Sequence, residues 1–177
     1  MSSITMSSAS VPIFVRMLTN ISHCLDKAEA HAAAKKFEPS VLLSTRLAPD
    51  MLPFTTQVQI ACDTAKFCVA RLAGVDSPKF DDSETTLAQL RERINATIAF
   101  LKSVPAAKID GSEAKEVTLP RRSGPIQMTG EAYLKHFALP NFFFHITTAY
   151  ALLRHNGVEV GKMDFLGALP QAQAAAA

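Results

Sequence analysis

Apolar residues return every three or four positions through four separate stretches of this chain. That rhythm fits α-helices packed on one another and little else. In the first stretch it is carried by Val11, Phe14, Leu18, Ile21, Leu25, Ala28 and Ala32, and Pro39 ends the segment that follows. In the second it is carried by Leu52, Phe54, Val58, Ala61, Ala65, Cys68, Val69 and Leu72. Pro53 is expected in the first turn of that helix, where a missing N–H costs little. Gly74 fits its C-terminal stop. The third helix buries Leu87, Leu90, Ile94, Ile98 and Leu101 and is closed by Pro105. Asp81, Asp82, Ser83 and Glu84 are expected to supply its capping oxygens and first-turn negative charge. The fourth helix is expected to begin near Pro140 and end near Gly157.

Between the third and fourth helices the period changes. Val117 and Leu119 alternate with polar neighbours, as do Ile126 and Met128, and the turn-rich PRRSGP lies between them. This reads as a short β-hairpin. Thr129 then caps a short helix, GEAYLKHF. The expected architecture is all-α: an antiparallel four-helix bundle with a small β-hairpin, forming one domain over residues 11–170. Residues 1–10 and 171–177 show no partner pattern and are expected to be disordered.

Composition narrows the function. A chain of 177 residues with 48% hydrophobic and 19% charged residues can bury a substantial core. The net charge is only +2, and no Lys/Arg run is longer than the pairs Lys35-Lys36 and Arg121-Arg122. That excludes the basic arm of a nucleic-acid binder. No apolar run approaches the ~20 residues needed to span a bilayer, and MSSITMSSASVPIF lacks the charged-then-apolar order of a secretory leader. Cys24, Cys62 and Cys68 show neither CxxC nor zinc spacing. Sparse thiols of this kind fit a reducing cytosol and serve as small core hydrophobes, so a cytoplasmic location is expected. There is no glycine-rich phosphate loop and no GxSxG or Cys/His nucleophile motif.

The helix faces single out one histidine. At about 100° per residue, Leu152, His145, Ala149, Phe142, Leu153 and Ile146 share one arc of roughly 120°, so His145 points towards the core. Asn141 lies at the edge of that arc, one turn earlier. On the second helix Gln57 sits at the margin of the inner arc. His155 is expected at the surface near the helix end, where a cation favours the dipole. Two readings of His145 follow. It is a core histidine satisfied by a hydrogen bond to Gln57, or His145, Asn141 and Gln57 form the floor of a small-molecule cavity. In the second case its imidazole is the one plausible acid or base. Arg154, Lys162 and Asp164 are candidates for the rim, and Arg121 and Arg122 for meeting an anion, although a solvated surface is the simpler reading of all five. A metal site is a third possibility, but amides are weak ligands, and zinc usually takes three His, Cys or carboxylate groups.

The segments VPIFVRMLTNISHCLDKA, LAPDMLPFTTQVQIACDTAKFCVARLAG, DDSETTLAQLRERI and LPNFFFHITTAYALLRHNGVEVGKMDFLG together carry a resemblance. The chain resembles the domain-of-unknown-function family DUF1993, within the DinB/YfiT-like superfamily. The resemblance implies a bundle in up-down-down-up order, with a long crossover between the second and third helices and frequent homodimerisation. Metal-dependent thiol transferases and isomerases of that superfamily hold their metal with one histidine on the second helix and an HxxxH pair on the fourth. A leucine-arginine pair and a glycine follow the HxxxH pair. Counting back from Leu153-Arg154 and Gly157, His145 matches the second histidine of the pair, Asn141 stands at the first, and Gln57 falls near the helix-two position. Amides thus replace two ligands, which implies a degenerate metal site and a shared cavity more than a shared reaction. The expectation is a protein that binds a small molecule beside His145, with no cofactor. The alternatives are a divalent-metal transferase or hydrolase using zinc or nickel, and a non-catalytic structural or stress-associated homodimer. Whether the chain is an enzyme stays open at this point.

Overall fold

A computed structural model describes residues 4–120 and 123–168. The expected disordered tail, residues 171–177, and the pair Arg121 and Arg122 lie outside the described residues. The molecule is mostly helical with one small two-stranded sheet. The elements are α1 (Val11–Lys35), α2 (Ser40–Leu43), α3 (Phe54–Ala73), α4 (Leu87–Ser103), α5 (Ala106–Ile109), β1 (Glu116–Leu119), β2 (Ile126–Thr129), α6 (Gly130–Tyr133), α7 (Leu139–His155) and α8 (Lys162–Leu166). The long helix α3 packs on α7 and α4, and α1 packs on α4, α7 and α8. Phe14, Phe54, Phe142 and Tyr133 are the largest fully buried side chains. Phe14 meets Phe142 edge to face, with ring centroids 4.8 Å apart.

Local chemistry explains most boundaries. Lys36 ends α1 in the left-handed conformation at φ 59°, which lets the N–H of Phe37 return to the Ala32 carbonyl. Gly74 ends α3 at φ +69°, as its position suggested. The Lys115 ammonium also donates to the Arg71 and Leu72 carbonyls at the end of that helix. Pro53 lies one residue outside α3, as an extended N-cap rather than in the first turn.

The start of α4 differs from expectation. Its cap is Thr86, which exchanges hydrogen bonds with Gln89 in a capping box. The acidic stretch Asp81–Glu84 does not cap it; it is drawn instead to Arg93, as described below.

The hairpin forms with Val117 opposite Met128 and Leu119 opposite Ile126. Val117 and Leu119 face the core. Beyond it, α6 runs through a π-helical turn, Leu134–Ala138, straight into α7. The widened turn lies just before Pro140, whose ring would press on the His136 carbonyl in an unbroken α-helix.

Residues 5–10, expected to be disordered, are packed. Met6 is buried, Ser10 Oγ donates to the Met6 carbonyl at 2.6 Å, and the Ser7 N–H reaches Asp110 Oδ1 at 2.8 Å. Among the described residues no helix is long and apolar enough to cross a membrane.

Candidate functional site

Helices α3 and α7 run antiparallel, and polar pairs form rungs along their contact. Gln57 meets His145, Thr64 meets Asn141, and Arg71 meets Tyr133, which ends the short α6 just before α7. The α3 members recur every seven residues, about 10 Å along the axis. A seven-residue step is nearly two full turns, so these groups share one face of α3.

The outermost rung is the chemically informative one. His145 Nδ1 lies 2.7 Å from Gln57 Oε1, and the residue is 8% exposed. Gln57 Nε2 donates to the Leu52 carbonyl at 3.0 Å. A backbone carbonyl only accepts, so this bond fixes which end of the Gln57 amide faces the histidine: the oxygen. An amide oxygen also only accepts, so Nδ1 must carry the proton. The Nε2 atom is then left with its lone pair. Nε2 has no hydrogen-bond partner among the described residues, yet it is not sealed from solvent. Burial pushes the His145 pKa below its ordinary value. The imidazole is therefore neutral at pH 7, with one hydrogen-bond acceptor left at Nε2.

The surroundings are apolar. The Phe144 ring stands edge-on to the imidazole with centroids 5.1 Å apart, and Phe144 is 55% exposed. Leu52, whose carbonyl anchors Gln57, also exposes its side chain. Phe54 and Phe142 are fully buried. Surface depressions lie elsewhere: about 490 Å³ beside His31 and Gly157, about 460 Å³ beside Arg16 and Asp164, and about 370 Å³ beside Phe80 and Arg93.

Of the three expected site residues, the structure brings Gln57 and His145 together and ties Asn141 to a different partner. Asn141 Nδ2 donates to Thr64 Oγ1 at 2.8 Å, one helical turn from His145. The suggested rim residues do not gather here. Arg154 is exposed nine residues further along α7, about 13 Å away. Lys162 is exposed on α8. Asp164 is held by the Lys27 ammonium at 2.7 Å and by the Gly161 N–H at 2.8 Å.

The donor set does not suit a tightly held divalent ion. The Gln57 oxygen already accepts the Nδ1 proton, and an amide NH₂ has no lone pair to give a metal. Among the described residues no group of three or more His, Cys, Asp or Glu side chains could hold one.

One buried cluster was not foreseen. Arg93 and Lys66 are both buried. Arg93 Nη2 reaches Asp63 Oδ1 at 2.8 Å, and its Nη1 reaches Glu84 Oε1 and Asp82 Oδ1, each at 2.9 Å. Lys66 also pairs with Asp63, at 2.9 Å, and its ammonium sits 4.2 Å from the centre of the Phe80 ring. At about 100° per residue Arg93 falls about 60° outside the arc shared by Leu87, Leu90, Ile94 and Leu101, so helical spacing alone does not single it out.

Comparison with known proteins agrees with the fold. The sequence pattern of the family described as a domain of unknown function (DUF1993) matches residues 6–166. The chain belongs to that family. It is similar to a crystal structure of a DinB family member protein from Shewanella denitrificans, with 48% identity and a TM-score of 0.89 over 95% of each chain. No curated protein matches it.

Proposed function

We propose that this DUF1993 protein is a cytosolic DinB-like bundle, its four long helices in up-down-down-up order, that binds a small molecule at His145 and holds no metal tightly there. The observation that carries this reading is the fixed tautomer: Nδ1–H donates to Gln57 Oε1, and Nε2 is left as an acceptor with no partner among the described residues. A solvent-reachable acceptor held in one orientation can exchange water for a donor on a ligand, and such a donor completes the hydrogen-bond chain that starts at the Leu52 carbonyl. Because Phe54 and Phe142 fill the interior, the ligand lies on the Phe144 side of the imidazole rather than in a deep cavity. Asn141, one turn away, is the second polar group within reach of a ligand lying along α7.

Two measurements test this. Tag-free protein is incubated with zinc, nickel or manganese, desalted, and assayed for metal per chain by plasma mass spectrometry, alongside His145→Ala. The expected result is no retained metal. Near-stoichiometric metal that disappears in the variant would replace this reading with a divalent-metal transferase or hydrolase. A fragment library is then screened by the His145 imidazole resonances. Hits that shift them in the parent protein and are lost in His145→Ala support the reading; a library without one refutes it.

A second reading rests on its own observation. Leu47, Leu52 and Phe144 are all exposed, and large apolar side chains at one end of a fold suit a self-association surface. In that reading the protein is a non-catalytic homodimer. It predicts that Phe144→Lys turns a dimer into a monomer in sedimentation equilibrium, and a monomeric parent protein would dismiss it.

A further inference from the structure

We infer that the ligand taken at His145 is an uncharged molecule that pairs one hydrogen-bond donor, such as a hydroxyl, with a hydrocarbon body. The inference rests on the ligand-binding reading above and names the chemical class. Three observations converge on it.

The first is the direction of the hydrogen bonds. A single chain runs from the Leu52 carbonyl through the Gln57 amide to His145 Nδ1 and ends at the Nε2 lone pair. Each link fixes the polarity of the next, and the links polarise one another. The end of the chain can only accept. A carboxylate or phosphate at neutral pH offers lone pairs and meets another lone pair. To bind such an anion the ring would have to become an imidazolium, which its burial opposes.

The second is the lack of a charged partner: among the described residues no acidic or basic side chain is hydrogen-bonded or ion-paired to the His145 ring. Burial is the only influence resolved on the His145 pKa, with no contribution from a charged side chain. A carboxylate would have no cationic partner here. An ammonium would find the lone pair but no carboxylate to neutralise it.

The third is the apolar rim. Phe144 stands edge-on beside the imidazole with more than half its surface open, and Leu52 is exposed next to the backbone carbonyl that anchors the chain. A hydrocarbon body lying on these two side chains covers apolar surface that is otherwise wet. It also shields the new hydrogen bond from competing water. A phenol or a short alcohol has both parts.

The test uses full-length, uniformly ¹⁵N-labelled protein and two-bond ¹H–¹⁵N spectra of its histidines, with His145→Gln assigning the His145 signals. The probes are p-cresol, acetate and methylammonium at matched concentrations and fixed pH. The expected result is that p-cresol shifts Nε2 saturably and Nδ1 little, while the two ions give no saturable shift. Phe144→Ala, a change at an exposed position, is expected to weaken p-cresol about five-fold. Saturable binding of acetate or methylammonium in place of p-cresol would overturn the chemical class while leaving His145 as a ligand site. No saturable shift from any probe would overturn both readings. Unchanged p-cresol affinity in Phe144→Ala would overturn the role of the rim.

Discussion

Arg93→Ala is the most instructive single perturbation of this fold. The Arg93 side chain is 2% exposed, and its guanidinium ties α3, α4 and the crossover between them through Asp63, Glu84, Asp82 and the Asp81 carbonyl. These contacts are not equal. Asp82 is largely exposed, so its pair contributes little. Asp63 keeps Lys66 after the substitution. Glu84 suffers most: its side chain is 9% exposed, and the Gln59 amide, at 2.7 Å, and a backbone N–H are what remain to it. Breaking a buried pair by removing one partner costs about 3–5 kcal/mol. With only one carboxylate stranded, the lower end applies, about 3 kcal/mol.

The pH dependence follows. Burial alone would raise the Glu84 pKa, but hydrogen bonds from Gln59 and Arg93 outweigh it and hold the carboxyl below its ordinary value. A depressed carboxyl stabilises the fold above its unfolded pKa of about 4.3, and that contribution is lost as pH falls through the folded value. In Arg93→Ala the contribution should already be missing at pH 7. The gap in unfolding free energy between parent and variant should therefore narrow on acidification. Urea unfolding at several pH values measures it, with Arg93→Met/Glu84→Met as the companion. That double variant strands no charge and should recover most of the loss. A loss below about 1 kcal/mol at pH 7, the range of an exposed pair, would refute the argument that Arg93 holds the crossover in place.

Three further outcomes are expected. The lowered His145 pKa means the unfolded chain binds more protons just below about pH 6.5. Stability should therefore fall as pH drops from there towards the folded pKa of His145, and urea titrations of His145→Gln should show a flatter slope in that window. In Gly130→Ala the new Cβ would lie 2.1 Å from the Ser112 carbonyl oxygen, a backbone atom that cannot swing aside. A loss of at least about 2 kcal/mol in urea unfolding is expected, and a neutral effect would contradict that packing. Burial pushes the Cys24 thiol up to about 11 and the Cys62 thiol up to about 12, and raises Cys68 further. All three should resist an aromatic disulfide reagent in the folded protein and react only after denaturation.

The helices and the hairpin were legible because burial imposes a period, and a period survives in the residue order. Leu18, Val58, Ile94 and Leu152 each lie where an apolar repeat of 3.6 residues places the core, and all four are buried. The same logic put Gln57 and His145 on facing arcs. It failed where a side chain answers to something distant in sequence. Asp81–Glu84 look like a helix cap because they precede α4. The cap went to Thr86, the residue immediately before the helix, whose hydroxyl accepts from the N–H of Gln89. The freed carboxylates of Asp82 and Glu84 went to Arg93, nine or more residues on. Asn141, placed by its helix arc and by the family resemblance one turn before His145, donates to the Thr64 hydroxyl across the helix contact, a partner that spacing along α7 does not reveal.

The chemistry of His145 was hidden for a sharper reason. Residue types at positions 57 and 145 allow either end of the amide to face the ring, and so allow either tautomer. The choice is made by the Leu52 carbonyl, a backbone group in the approach to α3 that any residue type would present. What sets this site apart is therefore the direction in which its donors and acceptors are fixed. A histidine at position 57 would offer a metal a second lone pair beside that of His145. Gln57, with its nitrogen donating to the Leu52 carbonyl, instead accepts from Nδ1–H and leaves the Nε2 lone pair free, with the Phe144 ring edge-on beside the imidazole. Gln57 thus holds His145 as a single oriented acceptor, and an acceptor pairs with a hydrogen-bond donor.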